Sequence, residues 1–182
     1  MIKKLSNDEI KLKRFLPTFL AENNRFPIYA LLENIRSLYN VGSMFRTADG
    51  ARISELLLAG FTPHPPRKEL LKTSLGAIET VPWQYFKNPI DSIEYLKSKN
   101  VKITAVELTD KSFPNYEIKN NDFPLCVVFG NEITGISNDL LKHVDDSIEI
   151  PMYGVKHSLN VSVAFGIVLF DLLRILNQKE QK

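Results

Sequence analysis

The sequence predicts an α/β fold in which a parallel sheet carries helices on both faces. Short apolar runs with the pattern of buried strands alternate along the chain with segments that have helical periodicity, and this alternation is typical of a parallel sheet. The predicted strands are 28–32, 53–60, 80–86, 101–107, 124–129 and 145–150, and the predicted helices are 5–22, 40–50, 68–72, 91–99, 137–143 and 161–174.

The last helix is predicted to lie in a core, because its segment 161–170 is uncharged but much shorter than the roughly 20 residues that a bilayer requires. It has two apolar faces, one formed by Val161, Ala164, Phe165 and Val168 and the other by Val163, Ile167 and Phe170. An ordinary surface helix has a single apolar stripe. Both faces are therefore expected to be buried, which one sheet alone cannot do.

Composition sets broad limits on the class of protein. A chain of 182 residues with 44% hydrophobic residues can form one globular domain with a full core. A net charge of +2 does not by itself indicate a nucleic-acid partner. The single Cys126 lies in an apolar run, and no apolar signal segment follows Met1, so we expect a reducing, cytoplasmic location. His64, His143 and His157 lack ligand spacing, and no structural metal is expected.

Polar residues accumulate in three blocks that adjoin apolar elements. In the first, 40–48, Asn40 is a possible helix cap and Arg46 follows on the helix. Arg46 alone is explained as well by a surface pair with Asp49 three residues on. In the second, Gly130 and Gly135 bracket Glu132 directly after an apolar strand, where open α/β sheets bind ligands. Its spacing fits neither GxGxxG nor a P-loop, which excludes a Rossmann dinucleotide site.

The third block joins a strand to the last helix. It runs from Ile150 through Met152 and Gly154 to Ser158 and Asn160, and loops held by rigid elements are where binding chemistry concentrates. Taken together and in this order, the three blocks resemble the signature motifs of the SpoU, or TrmH, family of RNA ribose 2′-O-methyltransferases in the SPOUT superfamily. The segments 72–77 and 81–85 also resemble the middle region of that family, and the resemblance covers about 27–175.

The resemblance implies a C-terminal deep trefoil knot that binds S-adenosylmethionine without a metal, and a homodimer formed through the C-terminal helix. It places the cofactor contacts at Gly130, Ile150, Met152, Gly154 and Leu159, and the catalytic residues at Asn40, Arg46, Glu132, Ser158 and Asn160. A helix cap for Asn40 or Ser158 and a satisfied loop carboxylate for Glu132 are the structural alternatives. Deprotonating an arginine near neutral pH costs roughly 7 kcal/mol, so Arg46 is expected to act as a cation that orients the ribose and its phosphate.

The implied substrate is tRNA or rRNA, with Lys11, Arg14, Arg46 and Arg174 as candidate RNA contacts. A solvated basic face for 5–22, and a pair with Asp171 for Arg174, are the alternatives. The predicted organisation is a basic extension at 1–26, a methyltransferase domain at 27–177 and a polar tail at 178–182. Many rRNA-directed members carry a separate domain before the knot, which favours tRNA here. A non-catalytic RNA-binding or assembly factor on the same fold, and a small-molecule methyltransferase, are the alternative functions.

Overall fold

A computed structural model describes residues 2–12 and 25–177 of the chain. Its centre is a parallel sheet with the strand order β3-β2-β1-β6-β4-β7-β5. The strands are β1 (Phe26–Glu33), β2 (Ile53–Ala59), β3 (Trp83–Phe86), β4 (Lys102–Val106), β5 (Phe113–Pro114), β6 (Leu125–Phe129) and β7 (Asp146–Glu149). The predicted α/β class with a parallel sheet is thus confirmed.

Helices cover both faces of this sheet. They are α1 (Asn7–Lys11), α2 (Leu38–Gly50), α3 (Lys68–Ser74), α4 (Ala77–Thr80), α5 (Pro89–Ser98), α6 (Asn138–Leu141) and α7 (Val161–Asn177). Helices α2 and α7 pack against each other over one face of β1, whereas α5 packs over β2, β3 and β4. The Phe129 and Phe165 rings meet 5.1 Å apart and tie α7 to the central strand β6.

Two apolar layers result, because successive side chains of a strand point to opposite faces. On β1, Ile28, Ala30 and Leu32 face α2 and α7, and Leu31 faces α5. Cys126 lies in the second layer and is fully buried. Burial, reinforced by the charge of Glu55, raises the pKa of its thiol far above the ordinary range.

The structure corrects several predicted boundaries. Residues 80–82 are not strand: Thr80 ends the one-turn helix α4, and β3 begins only at Trp83. Strand β5 lies between the predicted strands 101–107 and 124–129, where no strand was predicted. Helix α2 is capped by Ser37 rather than by Asn40, since the Ser37 hydroxyl accepts a hydrogen bond from the Asn40 amide at 3.2 Å. A small polar residue three positions earlier takes the cap instead.

The N-terminal helix is described only in part. Within the predicted helix 5–22, α1 covers Asn7–Lys11 and begins with a capping box between Ser6 and Glu9. Arg14 and the tail 178–182 lie outside the described residues. Lys11 lies 3.4 Å from Asp8, an exposed pair within one helical turn.

The outward face of α7 differs from expectation. Its inward residues Phe165, Val168 and Leu172 are buried, but Val163, Ile167 and Phe170 are 50%, 41% and 53% exposed. The prediction that both faces are buried is therefore wrong for the single chain. No helix among residues 2–12 and 25–177 is both long enough and apolar enough to span a membrane.

Candidate active site

A cavity of about 440 Å³ lies beyond the carboxyl ends of β4, β6 and β7. Its wall is formed by the ends of these strands, by the loop after β6 and by the loop that leads into α7. The lining residues include Glu107, Phe129, Gly130, Glu132, Gly135, Glu149, Ile150, Met152, His157, Ser158, Leu159, Asn160 and Ala164. Ligands of open parallel sheets bind at this edge, which makes the cavity the candidate site.

The loop after β6 folds back on itself at the cavity wall. Asn131 and Gly135 exchange two backbone hydrogen bonds of 3.1 and 2.9 Å, and the Asn131 side-chain oxygen accepts from the amides of Ile133 and Thr134. The Asn131 amide group also donates to the Asn34 carbonyl at 2.7 Å. A side chain at Gly130 would collide with the backbone of Gly135, so only glycine permits this close return.

Glu132 connects the loop to the start of α2. Its carboxylate accepts hydrogen bonds from the backbone amides of Arg36 at 2.8 Å and Ser37 at 3.1 Å, and from the side-chain amide of Asn40 at 2.9 Å. The first amides of a helix lack intrahelical acceptors and carry partial positive charge. Glu132 therefore fixes the position of the N-terminus of α2 relative to the cavity.

A second polar contact extends this connection to α7. The Asn160 side-chain amide donates to the side-chain oxygen of Asn40 at 3.3 Å. The oxygen of Asn160 accepts from the amide of Ser162 at 2.9 Å and from its hydroxyl at 2.6 Å, which caps α7. We call these three hydrogen-bonded side chains, Glu132, Asn40 and Asn160, the amide relay. It joins three segments that lie far apart in the sequence.

The amide relay favours an ionised Glu132. Partial burial alone would raise the pKa of this carboxyl, but hydrogen bonds from the Arg36 amide and the Asn40 side chain outweigh that effect and hold the pKa below its usual value. Glu132 is thus a negative charge that is committed to three donors. This arrangement suits a positioning residue better than a proton carrier.

Two further carboxylates line the cavity. Glu107 accepts from the backbone amides of Ile136 at 3.0 Å and Leu108 at 3.2 Å. Glu149 accepts from the hydroxyl of Ser112 at 2.6 Å. No lysine or arginine of the described chain lines the cavity. Its wall therefore favours a ligand with positive charge.

A family model with the description SpoU rRNA Methylase family matches residues 27–170. The chain belongs to the SpoU family. The family that the three sequence blocks resemble is thereby confirmed.

Individual SpoU relatives are similar to most of the chain. A 23S rRNA (guanosine-2′-O-)-methyltransferase from Pectobacterium atrosepticum is 31% identical over 87% of this chain and 64% of its own length. A tRNA (guanosine(18)-2′-O)-methyltransferase from Aquifex aeolicus is 29% identical over 96% of this chain and 79% of its own length. The chain spans 61–64% of the length of several curated relatives that it matches.

A solved SpoU-like structure shares the fold. The AdoMet-bound rRNA methyltransferase from Sinorhizobium meliloti superimposes with a TM-score of 0.76 at 30% identity, over 81% of this chain and 56% of that one.

Metal-binding clusters of three or more His, Cys, Asp or Glu side chains are absent from the described part of the chain.

The SpoU motif residues do not all meet at the cavity. Those that line it are Gly130, Glu132, Ile150, Met152, Ser158, Leu159 and Asn160. Asn40 lies one hydrogen bond behind them. Gly154 is exposed in the loop before α7 and does not line the cavity, and neither does Arg46.

The predicted basic residues lie elsewhere on the surface. Arg46 is exposed on α2 and has no hydrogen bond or ion pair with any described residue, so the alternative pair with Asp49 is not formed. Arg174 donates to Asp171 at 2.9 Å, which is the pair that was its structural alternative. Roles for Asn131 and Glu107 were not predicted, because Asn131 acts through the distant carbonyl of Asn34 and Glu107 through the distant amide of Ile136.

Proposed function

We propose that this chain transfers a methyl group from S-adenosylmethionine to a ribose 2′-hydroxyl of a structured RNA. The observation that carries the proposal is the amide relay, which gathers the three SpoU motif blocks around one cavity at the carboxyl edge of the sheet. The fold by itself does not identify the function, because one fold supports many functions.

The cavity has properties that fit S-adenosylmethionine, which supplies an electrophilic methyl group when bound. The backbone of Gly130, Ile150 and Leu159 is the candidate cradle for its adenosine, and Met152 adds apolar surface. Glu107 and Glu149 offer negative charge to a ligand that carries a sulfonium and an ammonium group. A volume of about 440 Å³ falls within the range of small-molecule sites.

Arg46 is proposed to orient the ribose and its phosphate as a cation. A guanidinium presents a rigid fork of donors that matches phosphate geometry, and this one has no partner in the described chain. It does not line the cavity of its own chain. We therefore place its action at a cavity that a second copy of the chain completes.

The proposed dimer forms through the outward face of α7. Val163, Ile167 and Phe170 expose a contiguous apolar stripe along this helix, and large exposed apolar patches mark interaction sites. Helix α2, which carries Arg46, packs directly against α7. Two copies joined through α7 would thus bring Arg46 of one chain toward the other.

The predicted trefoil knot is part of the same proposal. Strand β7 inserts between β4 and β5, both of which precede it in the chain. The chain then returns through α7 to pack against α2 and β1 in the other half of the sheet. Knotted connections are rare exceptions among folds, and this insertion and return support one here.

Among structured RNAs, we propose tRNA as the substrate. The tRNA-directed relative from Aquifex aeolicus aligns with 96% of this chain, beyond the limits of the family match. The relative from Pectobacterium atrosepticum, of similar identity, acts on 23S rRNA. Both RNAs therefore belong in the test.

The test is transfer of labelled methyl groups from S-adenosylmethionine to tRNA and rRNA, followed by mapping of the modified nucleotide. Arg46→Ala should reduce transfer by about 10²- to 10³-fold, because one charged contact to the reacting group is lost. Its melting temperature should equal that of the wild type, because the side chain is exposed and pairs with no residue that the structure describes.

Lys142→Ala is the matched control, since it removes a surface cation whose ion-pair partner among the described residues is Asp139. It should leave transfer unchanged. RNA binding without methylation by the wild-type protein would instead favour a non-catalytic RNA-binding factor. Methylation of neither RNA, with no RNA binding, would refute the proposal.

A further inference from the structure

The loop after β2 presents an exposed aromatic ring at the same edge of the sheet as the cavity. Phe61 lies two residues after the end of β2, and it is 62% exposed. Strand β2 neighbours β1, whose end leads through Asn34 and Arg36 to the amide relay. The ring therefore lies at the edge of the sheet where the candidate site is also found, two strands from β6.

The backbone around Phe61 is fixed by its neighbours. The Phe61 amide donates to the side-chain oxygen of Asn34 at 3.1 Å. The buried Thr62 hydroxyl donates to the Leu32 carbonyl at 2.9 Å and accepts from the Ile35 amide at 3.0 Å. These bonds tie the loop to the end of β1, so that Phe61 is held in place although its ring contacts mostly solvent.

Two residues adopt left-handed backbone conformations to create this geometry. Asn34 has φ +55° and Gly60 has φ +66°, and a side chain at Gly60 would collide with the Asn34 side chain. Such conformations persist only where surrounding contacts enforce them, and they concentrate at functional sites. A scattered apolar surface residue needs no such scaffold.

A pair of aromatic rings, His64 and Tyr85, supports the loop from the side of β3. The His64 and Tyr85 rings stack with centroids 4.0 Å apart. The Tyr85 hydroxyl donates to the Gly60 carbonyl at 2.8 Å, and Nδ1 of His64 donates to the Pro65 carbonyl at 2.9 Å. The loop is thus held from both neighbouring strands, with Phe61 between them.

Exposed cations flank the ring on both sides. Arg36 follows the end of β1, and Lys87 follows the end of β3, next to Gly60, whose amide donates to the Phe86 carbonyl. The side chains of Arg36 and Lys87 are exposed and have no ion-pair partner among the described residues. By contrast, Lys99 and Lys102, which lie at the opposite edge of the sheet, are both paired with carboxylates.

We propose that Phe61 is a stacking platform for an unpaired nucleobase of the RNA substrate, with the adjoining phosphates bound by Arg36 and Lys87. An aromatic ring between cations matches single-stranded RNA, whose bases stack on aromatic side chains while basic residues follow the backbone. The inference rests on the proposed function, since it assigns part of the substrate path to the same edge of the sheet.

The test measures binding of the RNA that the wild-type protein methylates. Phe61→Ala should raise the Kd for this RNA about 5- to 150-fold, the range seen when one stacked base loses its aromatic partner. Phe61→Leu keeps apolar volume but has no ring face, and it should weaken binding nearly as much. Phe61→Trp should bind like the wild type. The affinity for S-adenosylmethionine and the melting temperature should be unchanged in all three variants.

Tyr116→Ala is the matched control. Tyr116 is 54% exposed, but it follows β5, which is five strands away from β2 in the order of the sheet. It should leave the Kd for RNA unchanged. Lys87→Gln should lower the slope of log Kd against log salt concentration by about one, as expected for one lost phosphate contact. An unchanged slope would remove Lys87 from the proposed surface.

The two levels of the proposal fail in different ways. Wild-type affinity of Phe61→Ala or Phe61→Leu for an RNA that the wild type methylates would overturn the stacking platform and leave the methyltransferase proposal intact. A wild-type protein that neither binds nor methylates tRNA or rRNA would overturn both.

Discussion

Two carboxylates in this molecule, Glu132 and Glu55, are each surrounded by hydrogen-bond donors, but at opposite ends of parallel strands. Glu132 lies at the carboxyl edge and accepts from two backbone amides and from Asn40. Glu55 is 7% exposed near the start of β2, and it accepts from Gln84 at 2.6 Å, Tyr95 at 2.8 Å and Lys99 at 3.2 Å.

The two networks differ in what they connect. Every partner of Glu55 belongs to β3 or to α5 and its C-cap, which already pack beside β2 in one layer. Glu132 instead connects a loop, a helix N-terminus and, through Asn40, the start of α7. The number of hydrogen bonds is therefore a poor guide to function. What distinguishes the candidate site is that its network joins separate segments around a cavity.

The donors to the two carboxylates also differ in charge. Burial alone would lower the pKa of Lys99, but hydrogen bonds to Tyr95 and Glu55 outweigh it and raise that pKa, which favours an ion pair. Its ammonium also lies 4.2 Å from the centre of the Tyr95 ring. The donors to Glu132 are neutral amides. The cations near this edge remain available for a ligand.

The largest expected effect is a loss of stability without a loss of methyl transfer. Glu55→Ala should lower the free energy of unfolding by about 2–3 kcal/mol, because Gln84, Tyr95 and Lys99 lose their shared acceptor. The lower part of the range for broken ion pairs applies because the Lys99 side chain is 39% exposed. Urea unfolding measures the loss, and methyl transfer well below the melting temperature should equal that of the wild type.

Glu94→Ala is the control for this variant, since Glu94 is exposed on α5, the helix that carries Tyr95, and has no ion-pair partner in the described chain. It should change neither quantity. A Glu55→Ala protein of normal stability but low activity would contradict the division between the two networks.

An intermediate effect is expected from Asn160→Asp. The new carboxylate can still cap α7 through Ser162, but it places an acceptor opposite the acceptor oxygen of Asn40. Asn40 cannot rotate its amide without turning an oxygen toward Glu132. Methyl transfer should fall about 10- to 100-fold, as when a catalytic group is displaced by about 1 Å, while the melting temperature stays near that of the wild type.

Asn160→Ala should behave differently, because it removes the cap as well as the link to Asn40. It should lose about 1 kcal/mol of stability in addition to activity. Wild-type kcat/KM in Asn160→Asp would mean that the contact with Asn40 is not needed for transfer.

The smallest effect is the pH dependence of Glu132→Gln. Because the pKa of Glu132 is lowered in the folded state, its ionised form stabilises the fold above its unfolded pKa of about 4.3, and this contribution is lost as the pH falls through the lower folded pKa. The variant should be about 1 kcal/mol less stable than the wild type at neutral pH, a value kept small by solvent screening.

Urea unfolding at a series of pH values measures this difference, which should shrink as the pH falls below about 4.3. Glu94→Gln, at an exposed position on α5, should be as stable as the wild type at neutral pH. A difference that persists in acid would assign the effect to geometry rather than to charge.

Most of the fold could be predicted because local patterns were sufficient. The apolar runs that form β1, β2, β4 and β6 are each long enough and bounded clearly enough to be recognised, and β7 was recognised from the alternation of Ile148, Glu149 and Ile150. The two-residue strand β5 was missed because it contains Pro114 and exists only through pairing with β7. Thr80 was assigned to a strand although its hydroxyl bonds to Asp49 on α2 and to the Ala77 carbonyl.

The motif blocks named several residues of the cavity wall but not their connections, and they also named Arg46 and Gly154, which do not line it. The motif blocks identified Asn40, Glu132 and Asn160, yet the contact from Glu132 to the Arg36 amide spans 96 residues of sequence. No periodicity encodes such a contact. The same holds for Asn34 and Thr62, whose roles in fixing the Phe61 loop depend on the pairing of β1 with β2.

Cys126 gives this protein a built-in reporter of its own opening. The only thiol of the chain lies at the sheet centre, fully buried, with its ionisation suppressed by burial and by the charge of Glu55. The thiolate is the nucleophile that reacts with alkylating reagents, so the native protein should resist labelling until β6 separates from its neighbours. The rate of alkylation would then measure how often the central sheet opens. A cysteine introduced at the surface could carry a fluorophore without removal of the native one.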